Sequence, residues 1–511
     1  MTLSRSLFTS TAIGLSMLSP AAYADVTAAE VWGDWLAYFD GMGYAVTATE
    51  ATSGNTLSIS DIAIQMTGAP DVDKMVLRME GLQLANNGDG TVDVILPDTM
   101  PMTIEVQPAG IEAPTTVGID YTQSGQKMTV SGDADAMVYD YAAAGFGIML
   151  TSLLVEGEEM SEDAARLSVT GSDLRSVTTM TAGDVRAYDQ SMEIGSLAYD
   201  MFFKDPNAVE TMAVASTTQN VTFKGTSAVP TGQTMQTQDL APMLTAGFAF
   251  DGQFGTAGTE TRINVISEEG ETKIKTGSAS STLAVAMDAN GIGYEAAAQQ
   301  VQVGAELAGL PFPLFAEMAQ TGFKMRTPVV KSDEPQDFSL AFNATDFTMS
   351  DIIWAMFDPE GQLPRDPATV ALDLSGTAKM MVNPMDPAAM QSLAESDVAP
   401  GELNTLRIDR LTVDAVGATL DATGDVTFDN TDKTTLPGFP KPVGEVNINL
   451  AGANGLMDKL VAMGLLPAEQ VMGARMMMGM FAVPGDAPDT LKSRIEFNDA
   501  GQILANGQRL K

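Results

Sequence analysis

The chain has 511 residues with no histidine and no cysteine, and its 66 acidic against 27 basic side chains give a formal net charge of −39. Lacking imidazole and thiol, it excludes Ser-His-Asp and Cys-His nucleophiles, the metal centres that draw on His or Cys ligands, and any disulfide. The acidic excess disfavours nucleic acid and anionic headgroups as partners and suits cations, basic partners or a saline medium.

The first 24 residues read as an export signal. Arg5 supplies the positive region, Leu7 to Leu18 a mostly apolar stretch, Pro20 a break, and Ala22-Tyr23-Ala24 a cleavage motif. A mature chain is therefore expected from Asp25 in an exported, periplasmic compartment; the rival reading is a short buried N-terminal helix. A lipoprotein anchor is excluded by the missing cysteine. No transmembrane span is expected in the mature chain, because the best candidate, Ala142 to Val155, is bracketed by Asp140 and Glu156 and has the length of a buried element.

Thr27-Ala28-Ala29-Glu30 has the spacing of a capping box, and Val31, Trp32, Trp35, Leu36 and Phe39 recur at helical intervals, predicting an amphipathic helix at the mature N-terminus. Beyond it, short stretches rich in Val, Ile, Thr and Met alternate with Gly, Asp, Asn and Ser turns. In Thr56 to Met66, alternation puts Leu57, Ile59, Asp61 and Ala63 on one face and Ser58, Ser60, Ile62 and Ile64 on the other. The phase is imperfect, yet period two fits better than a helical period. Lys127 to Ser131, Arg262 to Ile266 and Thr272 to Thr276 read as further strands, with hairpin turns at Asn87-Gly88-Asp89-Gly90, Glu269-Gly270 and Ala289-Asn290-Gly291. The predicted fold class is mainly β: an extended, curved antiparallel sheet, as a meander, open groove or barrel-like closure, with a few short capping helices. Residues 25–511 are read as one elongated domain, with two sub-regions meeting near 300–330 as the alternative division. No fixed-period repeat supports a propeller or solenoid.

Short helices are expected over Pro313 to Thr321, Ser350 to Phe357 and Pro387 to Ala394. Farther on, Met457, Leu460, Val461, Gly464 and Leu465 line one face of a helix. Pro467 opens a second that runs through Val471, Met472, Met476, Met477, Met478, Met480 and Phe481, with Arg475 the only charge in its later half. A helix apolar nearly all round is ordinarily buried, and burial is the expectation here; the functional alternative is an adaptable Met surface that touches lipid or another envelope protein. Arg494 to Phe497, the Asp499-Ala500-Gly501 turn and Gln502 to Gln508 form a closing hairpin.

Carboxylate pairs are the one catalytic constellation this composition supplies in number, but aromatics to line a sugar site make up only 6% of residues and no pair stands out. No catalytic, cofactor-binding or metal-ligating residue is assigned, and no enzymatic activity or cofactor is expected. Asn87, Asp89, Gly90 and Asp93 match the inner part of a calcium loop, but Ala85 and Leu96 stand where its first and last acidic ligands belong, so a tight turn explains them. Asp421, Asp425, Asp429 and Asp432 likewise read as strand-edge and turn acids.

The segment from Pro311 to Met380 contains PFPLF, GFKMRTPVV, EPQDFSLAF and TMSDIIWAMFDPEGQLPRDPATVALDLSGTAKM, and GQILANGQRL lies at the C-terminal end. These resemble the alphaproteobacterial exported-protein family known only as domain of unknown function 2125, over nearly all of the mature chain and most strongly in its second half. The resemblance implies an envelope-side exported protein and carries over no activity and no catalytic residue. Within it, Trp354 to Pro359 and Leu363 to Pro367 read as a helix end and a proline-fixed turn in which Arg365 pairs with Asp358 or Asp366. The function expected is a non-enzymatic exported envelope protein, either lipid-handling or a structural scaffold, with an apolar groove. A calcium-dependent surface or adhesive protein and a carboxylate-based polysaccharide hydrolase are the alternatives.

Overall fold

Alternation of apolar and polar residues between Gly-, Asn- and Asp-rich turns makes most of this chain extended. The computed structural model describes residues 25–66, 72–111, 113–161, 163–205, 208–231, 240–394 and 399–511, so the leader expected over 1–24 lies outside it. Helix α1 (Ala28–Gly41) leads into β1 (Ala45–Ser53), β2 (Thr56–Met66), β3 (Val72–Asn86), β4 (Val92–Ile95), β5 (Thr99–Pro108), β6 (Thr115–Ser124), β7 (Lys127–Asp133), β8 (Ala136–Val155), β9 (Glu158–Glu159), β10 (Ala165–Thr181), β11 (Val185–Lys204) and β12 (Thr211–Pro230). After α2 (Ala241–Thr245) come β13 (Ala249–Ser267), β14 (Gly270–Asp288), β15 (Gly291–Glu306), β16 (Leu314–Thr327), β17 (Gln336–Met349), α3 (Asp351–Phe357), β18 (Ala368–Met380) and α4 (Pro387–Ala394). The chain continues with β19 (Gly401–Ala415), β20 (Ala418–Asp429), β21 (Lys441–Ala451), α5 (Ala453–Ala462), α6 (Ala468–Phe481), β22 (Val483–Pro484), β23 (Thr490–Phe497), β24 (Ile503–Ala505) and β25 (Gln508–Arg509).

Among the described residues all pairings are antiparallel and nearly all join neighbours in the chain, so the 25 strands form one long meander. Between β3 and β8, β4 and β5 run end to end as one interrupted strand, and β6 and β7 as another. The pairing closes no ring: among the described residues β1 pairs only with β2, at one edge. The mainly β expectation holds, as do the helices α1, α3, α4, α5 and α6. The helix expected over Pro313 to Thr321 does not form; from Leu314 onward those residues open β16, which pairs with β15 on one side and β17 on the other. Ladder hydrogen bonds on both flanks override a weak local helical pattern.

Helix α1 starts on a complete capping box: Glu30 N donates to Thr27 Oγ1 at 3.3 Å and Thr27 N donates to Glu30 Oε2 at 2.8 Å. Its Val31 and Trp32 share one buried cluster with Ile59, Leu84, Val92, Met137, Met180, Tyr188 and Val229. These side chains come from strands spread between β2 and β12. From β3 to β12 the pairing takes six steps, an arc of about 29 Å at the spacing of neighbouring strands, whereas a helix with its side chains is only about 10–12 Å across. The sheet must therefore curl around α1. Within this core Asp34 is 5% exposed, accepts from Tyr139 Oη at 2.6 Å and pairs with Arg186.

The imperfect phase of Thr56 to Met66 has a structural cause. Asp61 adopts φ 54°, and this kink turns the strand by one residue, so Leu57 and Ile59 before it and Ile62 and Ile64 after it all face the core. The partner strand kinks at the same level, at Gly81, where a Cβ would collide with the Ile59 carbonyl oxygen, and the pairing register stays unbroken. The device recurs across the sheet: Asp173, Asn220, Gln300 and Asp346 have φ between 48° and 54°, and Gly258 has 76°. They fall in line with one another and with Ala144, Gly195, Ala279 and Ala319 on intervening strands. Ile194 and Leu197, three residues apart across this line on β11, consequently meet in the same apolar cluster.

Removing Asp34 leaves the Arg186 guanidinium buried and unpaired. Asp34→Ala is expected to lose about 3–5 kcal/mol in urea unfolding, and adding Arg186→Ala to recover part of that loss in a double-mutant cycle. At the kink, Asp173→Gly should be tolerated while Asp173→Val costs about 1–2 kcal/mol, because a β-branched residue resists positive φ.

Candidate functional site: one apolar face of the sheet

Directly opposed residues of an antiparallel pair project to the same side, so cross-strand partners trace the faces of this sheet. Val229 and Phe223 share a face of β12, and Val229 belongs to the α1 core, which defines the inner side. From Phe223 the successive partners are Phe254, Leu283, Ala296, Phe323, Phe342, Leu372, Leu411, Ala422 and Ile448, an apolar rung from β12 to β21. A parallel rung runs through Val285, Tyr294, Met325, Leu340, Leu374 and Ile408. The outer face of the same strands is polar. There Lys324 stands 3.7 Å from Glu295, Thr412 donates to Asp421 at 2.8 Å, and Arg494 pairs with Glu445 at 2.6 Å.

Helix α1 covers the inner face at one end, and among the described residues that face is more exposed in mid-sheet. Phe254, Phe323 and Phe342 are each 41% exposed and Leu283 is 44% exposed. Toward the C-terminal end the face becomes concave. Leu406, Ile408, Val426, Phe428, Val446 and Phe497 floor a cavity of 560 Å³, roofed by the 430–440 loop with Leu436 and Phe439. Next to it, Ile448, Leu450, Leu491, Ile495 and Ile503 with Met477, Met478 and Phe481 of α6 line a second, open cavity of 420 Å³. Both volumes fall in the range of small-molecule sites, and their linings are dominated by apolar side chains. On the outer face, Asp189, Asp251 and Asp288 share a 460 Å³ depression with Arg326, which stands 3.7 Å from Asp288.

The acids singled out in the sequence stand apart from this face. Asp89 Oδ1 accepts from Thr91 Oγ1 at 2.7 Å and Thr91 N at 3.1 Å, Asn87 donates to Thr91 Oγ1 at 3.0 Å, and Asp93 accepts from Thr129 at 2.8 Å. Gly90 lies against Asp25 at the approach to α1, and its N-terminal neighbour Asp89 closes the turn. Among the described residues no group of three or more acidic side chains is placed to hold a metal ion. Asp429 caps Thr431, and Asp432 caps Thr434 and Thr435 in the loop that roofs the larger cavity.

Two expectations are corrected. Arg365 pairs with Asp351 at 2.6 Å and lies over the Trp354 ring, 5.6 Å from its centroid, instead of pairing with Asp358 or Asp366. The Asp358 carboxylate is taken by the turn itself, accepting from Gln362 N at 2.8 Å and Leu363 N at 2.9 Å. Burial pushes its carboxyl up, but the Leu363 and Gln362 amides, the Arg365 guanidinium and the Gly361 amide together hold it below the usual range. Nor is the Met-rich helix buried. Only Val471 of α6 is, while Met472 and Met476 are 69% and 67% exposed. Arg475 is turned toward α5, donating to Asp458 at 2.7 Å and Asn454 O at 3.1 Å, so the seam occupies one side of a helix that is apolar on several.

Hydroxyl and amide donors of Thr435 and Thr434 hold the Asp432 carboxyl well below the usual carboxylate range. A depressed folded-state pKa adds stability that is complete above the unfolded value, about 3.9, and is lost as pH falls through the folded one. Urea midpoints of wild type and Asp432→Asn should therefore differ at neutral pH and draw together progressively as pH falls below about 4.

Neither the curated proteins nor the solved structures contain a match to this chain. A family model described as an uncharacterized protein conserved in bacteria (DUF2125) matches residues 256–505. That region runs from β13 to β24 and contains most of the uncovered apolar face and both of its cavities. Over residues 256–505 the chain is thus similar to this uncharacterised bacterial family.

Proposed function

We propose that this chain is a non-enzymatic exported protein of the cell envelope whose inner sheet face holds lipid acyl chains. The observation that carries the reading is the rung through Phe254, Leu283, Phe323 and Phe342, apolar, continuous and more than one-third exposed. Each Å² of such surface left in water forgoes about 25 cal/mol, and soluble monomers rarely expose more than a few hundred Å² of it in one patch. An acyl chain satisfies this face well, because it needs no hydrogen-bond partner and can lie across strands whose side chains offer none. From β13 to β21 the rung crosses eight strand spacings, about 38 Å, enough for a long chain or several side by side. The leader-like start of the sequence supports export, and the polar outer face keeps the sheet soluble on its other side.

Lipid extraction and native mass spectrometry of the purified full chain test this. Wild type should carry lipid. Phe323→Gln/Phe342→Gln, which alters two partly exposed partners in mid-face, should lower bound lipid at least tenfold, since each lost phenylalanine contact removes about 1.5–3 kcal/mol. Wild type without lipid, or a variant that carries as much, would refute the reading.

A further inference from the structure

We infer that α6 is the surface by which the protein rests on an electrically neutral bilayer, and the point at which acyl chains pass onto the sheet face. The inference rests on the lipid-holding reading of that face. Met472, Met476 and Met480 recur every four residues and form a stripe along one side of α6, exposed by 69%, 67% and 55%. Glu469 marks the N-terminal end of the stripe, and the one basic side chain of the helix, Arg475, is drawn away to Asp458 and Asn454 of α5. The solvent side of the helix from Met472 onward is therefore an uncharged thioether surface.

Met477 links that surface to the interior. It is 55% exposed and also walls the 420 Å³ cavity with Met478 and Phe481. The floor of the cavity is Ile448, Leu450, Leu491 and Ile495, which continue the apolar rungs of the sheet. An unbroken apolar path thus leads from the outer stripe, past Met477, to the inner face. A second protein would be expected to meet Trp, Tyr or Arg anchors with directional contacts, and this stripe has none. Unbranched, polarizable methionines instead fit the disordered boundary between headgroups and acyl chains, where an amphipathic helix lies in the plane of the membrane. The charge of −39 and the absence of Lys or Arg on the stripe point to neutral rather than anionic lipid.

Flotation of the full chain with phosphatidylcholine vesicles tests the inference. Wild type should float with the vesicles, and replacing part of the phosphatidylcholine with phosphatidylglycerol should weaken binding at low salt. Met472→Gln/Met476→Gln/Met480→Gln should reduce the floating fraction at least tenfold with an unchanged melting midpoint, and the corresponding triple Leu variant should restore it. Phe323→Gln/Phe342→Gln should still float while carrying little lipid, so failure of docking and failure of the lipid-holding face are seen separately. Wild type that stays at the bottom, or a triple Gln variant that floats as wild type does, overturns the inference. So does a concentration-dependent dimer in vesicle-free solution that the triple Gln variant abolishes, because the stripe then meets a second copy.

Discussion

A wide antiparallel sheet can keep one face apolar and the other polar only if every strand holds the same phase, because side chains alternate with a period of two and opposed residues share a side. This chain maintains that phase over strands of up to 20 residues. It does so with positive-φ residues that fall at one level of the sheet on β10, β12, β13, β15 and β17. Across most of these pairs the ladder remains in register through the kink, with slips at β12–β13 and β17–β18, and the apolar set continues on the same side of the sheet. Asp and Asn supply most of these kinks because they tolerate the left-handed region better than other side chains.

The curl of the sheet depends on α1. Its apolar side chains are met by strands that lie six pairings apart, and a flat sheet could not bring them together around one helix. The buried Asp34–Arg186 pair, braced by Tyr139, ties the helix to the sheet at a defined angle. Such a pair adds little net stability over an apolar substitute, but it penalises any packing in which the two charges separate. The sheet thus has a filled end around α1 and an end of open cavities beside α6.

Between those ends lies the contrast that bears on function. One face carries rungs of Phe, Leu, Ile and Val, and the other carries Glu295, Lys324, Asp421, Glu445 and Arg494. Much of the chain's negative charge is therefore held on turns and on the outer face, leaving the inner face almost without charge. On the proposed reading, function is a property of surface shape and lining spread over many strands.

Much was legible in the sequence. The absence of His and Cys, the capping box at Thr27 and Glu30, the hairpin turns and the helices after Ser350, Pro387 and Pro467 all follow from local chemistry, which adjacent residues carry in full. The rest depended on partners far away in the chain. Residues 314–321 became a strand because two neighbours paired with them, Arg365 turned to Asp351 because the turn had already used Asp358, and α6 kept its methionines exposed because its seam with α5 and the sheet is narrow. The slip at Asp61 was visible as a fault in alternation, but only the pairing of β2 with β3 shows that both halves face one core. Periodicity by itself determined that these segments are strands with two unlike faces; the tertiary structure decided which faces are covered, because cover comes from elements that no local pattern records.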